Sequence, residues 1–206
     1  MVHATFYRLP EEKKTRILSS ACREFAQYTY EKSSINRILD EARVPKGSFY
    51  QYFDDKSDLF YLCMYAVYEK ILKARAEKGQ SLIGAGMLRM KQDGYEKGYQ
   101  LFTEDLHTFL DDDDFQLFSN MLEAPPAIRN YVQMSIASEL IAPVFEAELR
   151  ADPHIRSDVD VSYFAYLLSL TEVIPVDYGA RNGCSVKETI RLGFEYMQAL
   201  YDSISK

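Results

Sequence analysis

The stretch from Ser33 to Phe53 constrains the fold more than any other. Ser33 or Ser34 is placed to cap a short helix. Ile35, Ile38, Leu39 and Ala42 line one side of it. Arg43-Val44-Pro45 forms a tight turn, and Lys46 to Phe53 makes a third, very short helix. Two helices this small cannot hold themselves together in water. They need a platform, and the preceding segment supplies one. Pro10 is a favourable first-turn residue, with Glu11 and Glu12 at the positive end of the helix dipole. Ile17, Leu18, Ala21, Cys22, Phe25 and Ala26 follow at helical spacing. Three such helices predict a helix-turn-helix unit whose last member can lie in a DNA major groove. In that last helix Phe49 and Phe53 anchor inward, while Lys46, Ser48, Gln51 and Tyr52 point outward. Gly47 and Ser48, with little or no side chain, allow close approach to a nucleic-acid backbone. Hydroxyls and lysines suit phosphates, and lysine and glutamine also read base edges.

The remainder reads as helix almost throughout, so the fold class is expected to be all-α. Asp54 or Asp55 caps a fourth helix, from near Lys56 to about Lys78, ahead of Gly79. Further helices are expected at about 82–110, 115–124, 126–151, 158–178 and 186–204. Pro125-Pro126, Asp152-Pro153 and Asn182-Gly183 mark breaks. Pro143 and Pro175 fall inside apolar helical patterns and predict kinks or breaks. Asp111–Asp114 is expected to be a solvated loop. A calcium loop would need further oxygen ligands and a central glycine, and Phe115, Gln116 and Leu117 follow instead.

The net charge of −7 is unusual for a nucleic-acid binder, but its distribution decides more than its sum. Residues 1–60 carry 10 basic and 9 acidic side chains, against 14 and 22 in the remainder. The acidity therefore lies outside the N-terminal segment. No run reaches the roughly 18 apolar residues that span a membrane, and no secretory signal is expected. Cys22, Cys63 and Cys184 are isolated, which argues against a disulfide framework or zinc site and suits a reducing cytoplasm. His3, His107 and His154 are scattered, and no GxSxG, HExxH, Walker loop or GxGxxG occurs. An enzyme is not expected, and neither is a metal or cofactor.

The sequence resembles the TetR (tetracycline-repressor) family of bacterial transcriptional regulators. The resemblance rests on Arg16-Ile17-Leu18-Ser19-Ser20-Ala21 with Phe25, on Ser34-Ile35-Asn36-Arg37-Ile38, and on the run from Lys46 through Tyr50, Tyr52 and Lys56 to Leu59. It covers about the first quarter to third of the chain. It implies that Ser34, Tyr50, Tyr52 and Lys56 hold phosphates, that Asn36, Arg37, Lys46, Ser48 and Gln51 lie at or near the bases of an operator, and that Gly47 belongs to the same DNA-binding set. Arg43 stands where the family often has glycine, in a turn that often wants a positive φ. The implied organisation is a DNA-binding domain over 1–56, joined by a shared helix to a larger helical domain over 57–206 that binds a small effector and dimerises. An alternative is an all-helical ligand-binding or adaptor protein whose DNA binding is lost.

In the second domain, Val186, Ile190, Gly193, Phe194, Met197, Leu200, Tyr201 and Ile204 form one long stripe. The preceding segment, Tyr163 to Ile174, is apolar on nearly all sides and must be covered on every face. Two such helices from each of two chains predict a four-helix homodimer interface. Tyr61, Met64, Tyr65, Tyr68, Tyr95, Tyr99, Phe102, Phe118, Met121, Tyr131 and Met134 are the candidate lining of an adaptable apolar effector pocket, and suit an ordinary core equally well.

Overall fold

The computed structural model describes residues 2–80, 104, 107–171 and 173–206. Among them the chain is all-helical, and the only strand-like pairings are two isolated bridges, Val2 with Phe53 and Ile155 with Ser205. Two compact units divide it, one of residues 1–70 and 110–132, the other of residues 71–109 and 133–206. The first takes in more than the residues 1–56 expected from sequence.

In the first unit α1 (Ala4–Tyr7) precedes α2 (Glu11–Gln27), and Pro10 stands one residue ahead of the helix, with ψ 142°, rather than in its first turn. α3 (Ile35–Ala42) starts at Ser34, whose side chain accepts from the Arg37 amide. Arg43 ends α3 in the left-handed region, φ 55° and ψ 47°. The Arg43 amide donates to the Asp40 carbonyl and the Val44 amide to that of Leu39. Those two bonds make a Schellman closure, which normally seats glycine where Arg43 stands. The next element, Lys46–Gln51, is a 3₁₀ turn rather than the expected α-helix. Six residues between a proline and the Tyr52–Asp55 bend are too few to carry an α-helical ladder. α4 (Lys56–Glu77) opens where Asp55 Oδ1 accepts from the Ser57 amide at 2.7 Å.

The same unit includes α5 (Asp112–Leu122) and the first residues of α6 (Pro126–Ile136). Here Asp111–Asp114 is a helix start, which overturns the solvated loop. Asp111 accepts from the Asp114 amide, and three carboxylates occupy the first turn, where the dipole favours them. Asp114 is buried and ion-paired with Lys70. Ile17, Phe25, Ile38, Leu39, Phe49, Phe53, Phe60 and Leu117 fill the core. Asn120, itself buried, donates to the carbonyls of Phe25 and Ala26 at 2.8 and 2.9 Å. It thereby satisfies the C-terminal end of α2, against which α5 packs.

In the second unit α6 passes into a π-helical turn, Ala137–Ile141, and on into α7 (Ala142–Ala151). The turn precedes Pro143, which lacks an amide and would crowd the carbonyl four residues back. Widening to i→i+5 pairing relieves that conflict without breaking the predicted 126–151 run. The predicted 158–178 helix is instead two. α8 (Val161–Leu170) is capped by Asp160, and α9 (Ile174–Asn182) carries Pro175 in its first turn. α10 (Val186–Ile204) begins with a full capping box between Ser185 and Glu188.

Candidate nucleic-acid interface

The recognition segment is set by its aromatic underside. Phe49 and Phe53 are fully buried, their ring centroids 5.2 Å apart, and Phe6 of α1 lies 5.0 Å from Phe53. The opposite side is open. Lys46, Gly47, Tyr50 and Gln51 are exposed, and Ser48 is half-buried. Tyr50 is 69% exposed, its ring edge-on to Phe49. Lys46 Nζ stands 3.5 Å from Asp40 Oδ2, both exposed, a pairing too weak to immobilise the lysine. Nothing in the protein lies within 4 Å of where a Cβ on Gly47 would sit, and its φ is not positive.

Four of the predicted contact residues also make bonds within the domain. Tyr52, expected to point outward, is buried: its ring packs against Phe6 and Phe53, and its hydroxyl accepts from Lys13 Nζ at 3.0 Å. Arg37 lies on the exposed side of α3, yet its guanidinium is held. Nε donates to both oxygens of Glu24 at 3.0 Å, Nη2 donates to Glu24 and to the Lys32 carbonyl, and Cζ lies 4.3 Å over the Tyr28 ring. Ser34 uses its hydroxyl to cap α3 and donates its amide to Glu24 Oε1 at 2.7 Å. Lys56 is half-buried; its ammonium donates to the carbonyls of Tyr30 and Ser33 and sits 4.4 Å over the Tyr30 ring. Burial lowers the Lys56 pKa and raises that of Tyr30 to about 12. Asn36 is exposed. The outward surface therefore comprises Asn36, Lys46, Gly47, Tyr50 and Gln51, with Ser48 at its edge.

Sequence reasoning missed Glu24, Asn120 and Asp58. Glu24 organises the loop into α3, Asn120 closes α2, and Asp58 accepts from the Asp54 amide at 2.8 Å. A signal did exist for Glu24, an acid set between Ala21 and Phe25 on an otherwise apolar face.

The candidate effector residues divide differently from the expectation. Tyr61, Tyr65 and Tyr131 form one cluster, with centroids 5.9 and 6.3 Å apart about Tyr61, and Tyr68 pairs with Phe118 at 5.8 Å. All five belong to the first unit. Met64 and Met121 are fully buried in its core, whereas Met134, in the second unit, is 37% exposed. Tyr95, Tyr99 and Phe102 lie outside the described residues.

An apolar underside, a left-handed turn and an open polar face define this as a helix-turn-helix domain. Residues 17–61 match the family model for bacterial regulatory proteins, tetR family. The HTH-type transcriptional regulator HbdR of Aromatoleum sp. (strain CIB) is 39% identical over 57 residues, which span 28% of this chain and 25% of that relative. A TetR family transcriptional regulator from Chloroflexus aurantiacus J-10-FL is similar in structure, with 23% identity, 100% and 99% of the two chains covered and a TM-score of 0.42. Regulatory protein TetR from Rhodobacter sphaeroides is 19% identical, with 92% and 95% covered and a TM-score of 0.36. The likeness to the tetR family thus lies in this N-terminal domain, and the chain spans about a quarter of the length of the curated relative it matches. No described helix is long and apolar enough to cross a membrane.

Proposed function

We propose that the chain is a cytoplasmic DNA-binding transcriptional repressor that acts as a homodimer and leaves its operator when a small, largely apolar effector binds. Gly47 carries this reading. A glycine in a helical turn costs about 0.5–1 kcal/mol relative to alanine, and neither a positive φ nor a crowded neighbour at Gly47 accounts for it. Close approach of a phosphate backbone does. Exposed Lys46, Tyr50 and Gln51 surround it with donors suited to phosphates and base edges.

Exposed apolar residues of the second unit support the dimer. Tyr163, Ile174 and Tyr178 are each at least half exposed, and Tyr166 and Tyr196 are also open. They belong to α8, α9 and α10, the segments whose apolar character already calls for a covering partner. A dimer must set its two recognition segments about 34–36 Å apart, or a multiple, to enter successive major grooves. Effector binding need only shift that spacing. α4 contains both Lys56, at the DNA-reading end, and Tyr61 and Tyr65 of the aromatic cluster, so one helix links the two tasks.

Fluorescence anisotropy with labelled duplex DNA between about 50 and 200 mM salt tests the reading. Affinity falling by orders of magnitude over that range is expected for a protein that neutralises several phosphates. Salt-independent or undetectable binding refutes it and leaves a ligand-binding or adaptor protein. Light scattering at micromolar concentration is expected to return twice the chain mass.

A further inference from the structure

Arg129 lies in the first turns of α6 and is 4% exposed. Its Nη1 donates to the carbonyls of Leu122 and Ala124, at 3.0 and 3.4 Å, at the end of α5. Nε and Nη2 are buried and have no hydrogen-bond partner, and no described carboxylate forms an ion pair with the group. These two nitrogens form one edge of the guanidinium, with N–H bonds nearly parallel and spaced to meet both oxygens of a carboxylate.

The chain shows elsewhere what that edge takes. Arg23 directs Nε and Nη2 at Glu41, Arg37 at Glu24, and Arg150 at Glu146. All three are surface-side arginines with water as an alternative. Arg129 has the same edge free where water is excluded, and a buried charge without a counterion is strongly disfavoured.

We propose that Arg129 is the anchor for a carboxylate-bearing effector, its Nε–Nη2 edge receiving the two oxygens while Nη1 stays on the α5 carbonyls. This rests on the effector-responsive reading above and names the polar end of the effector, the apolar remainder being what the aromatic residues suit. The same edge can pair with a phosphate, and carboxylate is chosen because that is what the edge meets at Arg23, Arg37 and Arg150.

The test uses the full chain and thermal shift with paired probes: acetate, butyrate, octanoate, benzoate and phenylacetate, each against its primary amide, with inorganic phosphate as a separate arm. At least one carboxylate is expected to raise Tm above its amide, and that excess to vanish in Arg129→Gln. Arg129→Lys keeps the charge without the paired edge and is expected to bind the responding carboxylate about 10-fold more weakly. Circular dichroism on both variants checks that they fold, and if Arg129→Gln does not, the Arg129→Lys affinity decides. Equal response to every acid and amide, an excess that survives in Arg129→Gln, undiminished affinity in Arg129→Lys, or a larger shift with phosphate overturns the proposal. DNA binding measured on the same samples separates the two readings. DNA binding without a carboxylate response sinks the anchor alone. Lack of DNA binding sinks the repressor and leaves the carboxylate result to stand by itself.

Discussion

The Tyr131 hydroxyl donates a 3.0 Å hydrogen bond to Asp58 Oδ1 across 73 residues of sequence. Asp58 is 1% exposed, and its other oxygen accepts from the Asp54 amide where the recognition segment gives way to α4. A candidate effector residue is thus tied to the polypeptide that positions the candidate DNA-reading face. Tyr131→Phe keeps the ring against Tyr61 and removes only the donor. The expected loss is about 1–2 kcal/mol in urea unfolding, below the full value of a bond to a charged group because Tyr131 is partly solvated. Stability unchanged within error would mean that the bond does not hold the two elements together.

Arg37 is expected to act on stability more than on base preference. Glu24 is buried and organises both the Ser34 amide and the Arg37 guanidinium. Glu24→Gln takes the charged acceptor from Ser34, at a cost of about 1.5–3 kcal/mol. Arg37→Ala should lower Tm and weaken binding to all duplexes alike. A variant with wild-type Tm but altered sequence preference would instead place Arg37 at the bases.

How far the sequence could be read depends on where the partners lie. Ser34, the turn at Arg43 and the start of α4 are visible because their determinants are neighbours in the chain: a cap, a left-handed residue, an acid before Lys56. The outward face of the recognition segment is half legible. Period alone separates Phe49 and Phe53 from Tyr50 and Gln51, but it cannot show that Phe6 and Lys13 close over Tyr52. Asp111–Asp114 looks like a loop because four acids repel one another in isolation. Only Lys70 and the helix dipole make them a helix start. Arg129 carries no local signal at all, since its solvent exclusion and its carbonyl partners are both tertiary.

The N-terminal segment supplies a pH dependence. His3 Nδ1 lies 3.2 Å from the Gln51 carbonyl and Nε2 lies 2.7 Å from Asp54 Oδ1. Both partners accept only, so both ring nitrogens bear protons when both bonds form. The bond to Asp54 accordingly raises the His3 pKa. A raised folded-state value means that the contribution is complete below about pH 6.5 and fades as pH rises through the folded-state value. Urea unfolding between pH 5.5 and 8.5 should show wild type more stable than His3→Ala at the acid end and converging with it as pH rises through the folded-state value. Parallel curves throughout would show that His3 does not couple to folding.

Gly47→Ala separates folding from DNA binding more cleanly than any change to a charged residue. The added methyl group meets no protein atom within 4 Å, and the backbone there is one that alanine adopts freely. Reducing the freedom of the unfolded chain should therefore raise stability, by about 0.4–1 kcal/mol. If a phosphate backbone passes over this point, the same methyl stands between it and the turn. DNA affinity should then fall at least 10-fold, while Lys46, Tyr50 and Gln51 remain in place. The salt slope should change little, because no charge is removed. Urea unfolding and anisotropy on one preparation read both effects. A variant that gains stability and binds DNA as well as wild type would show that nothing approaches Gly47, and the recognition face would have to be sought elsewhere on the domain.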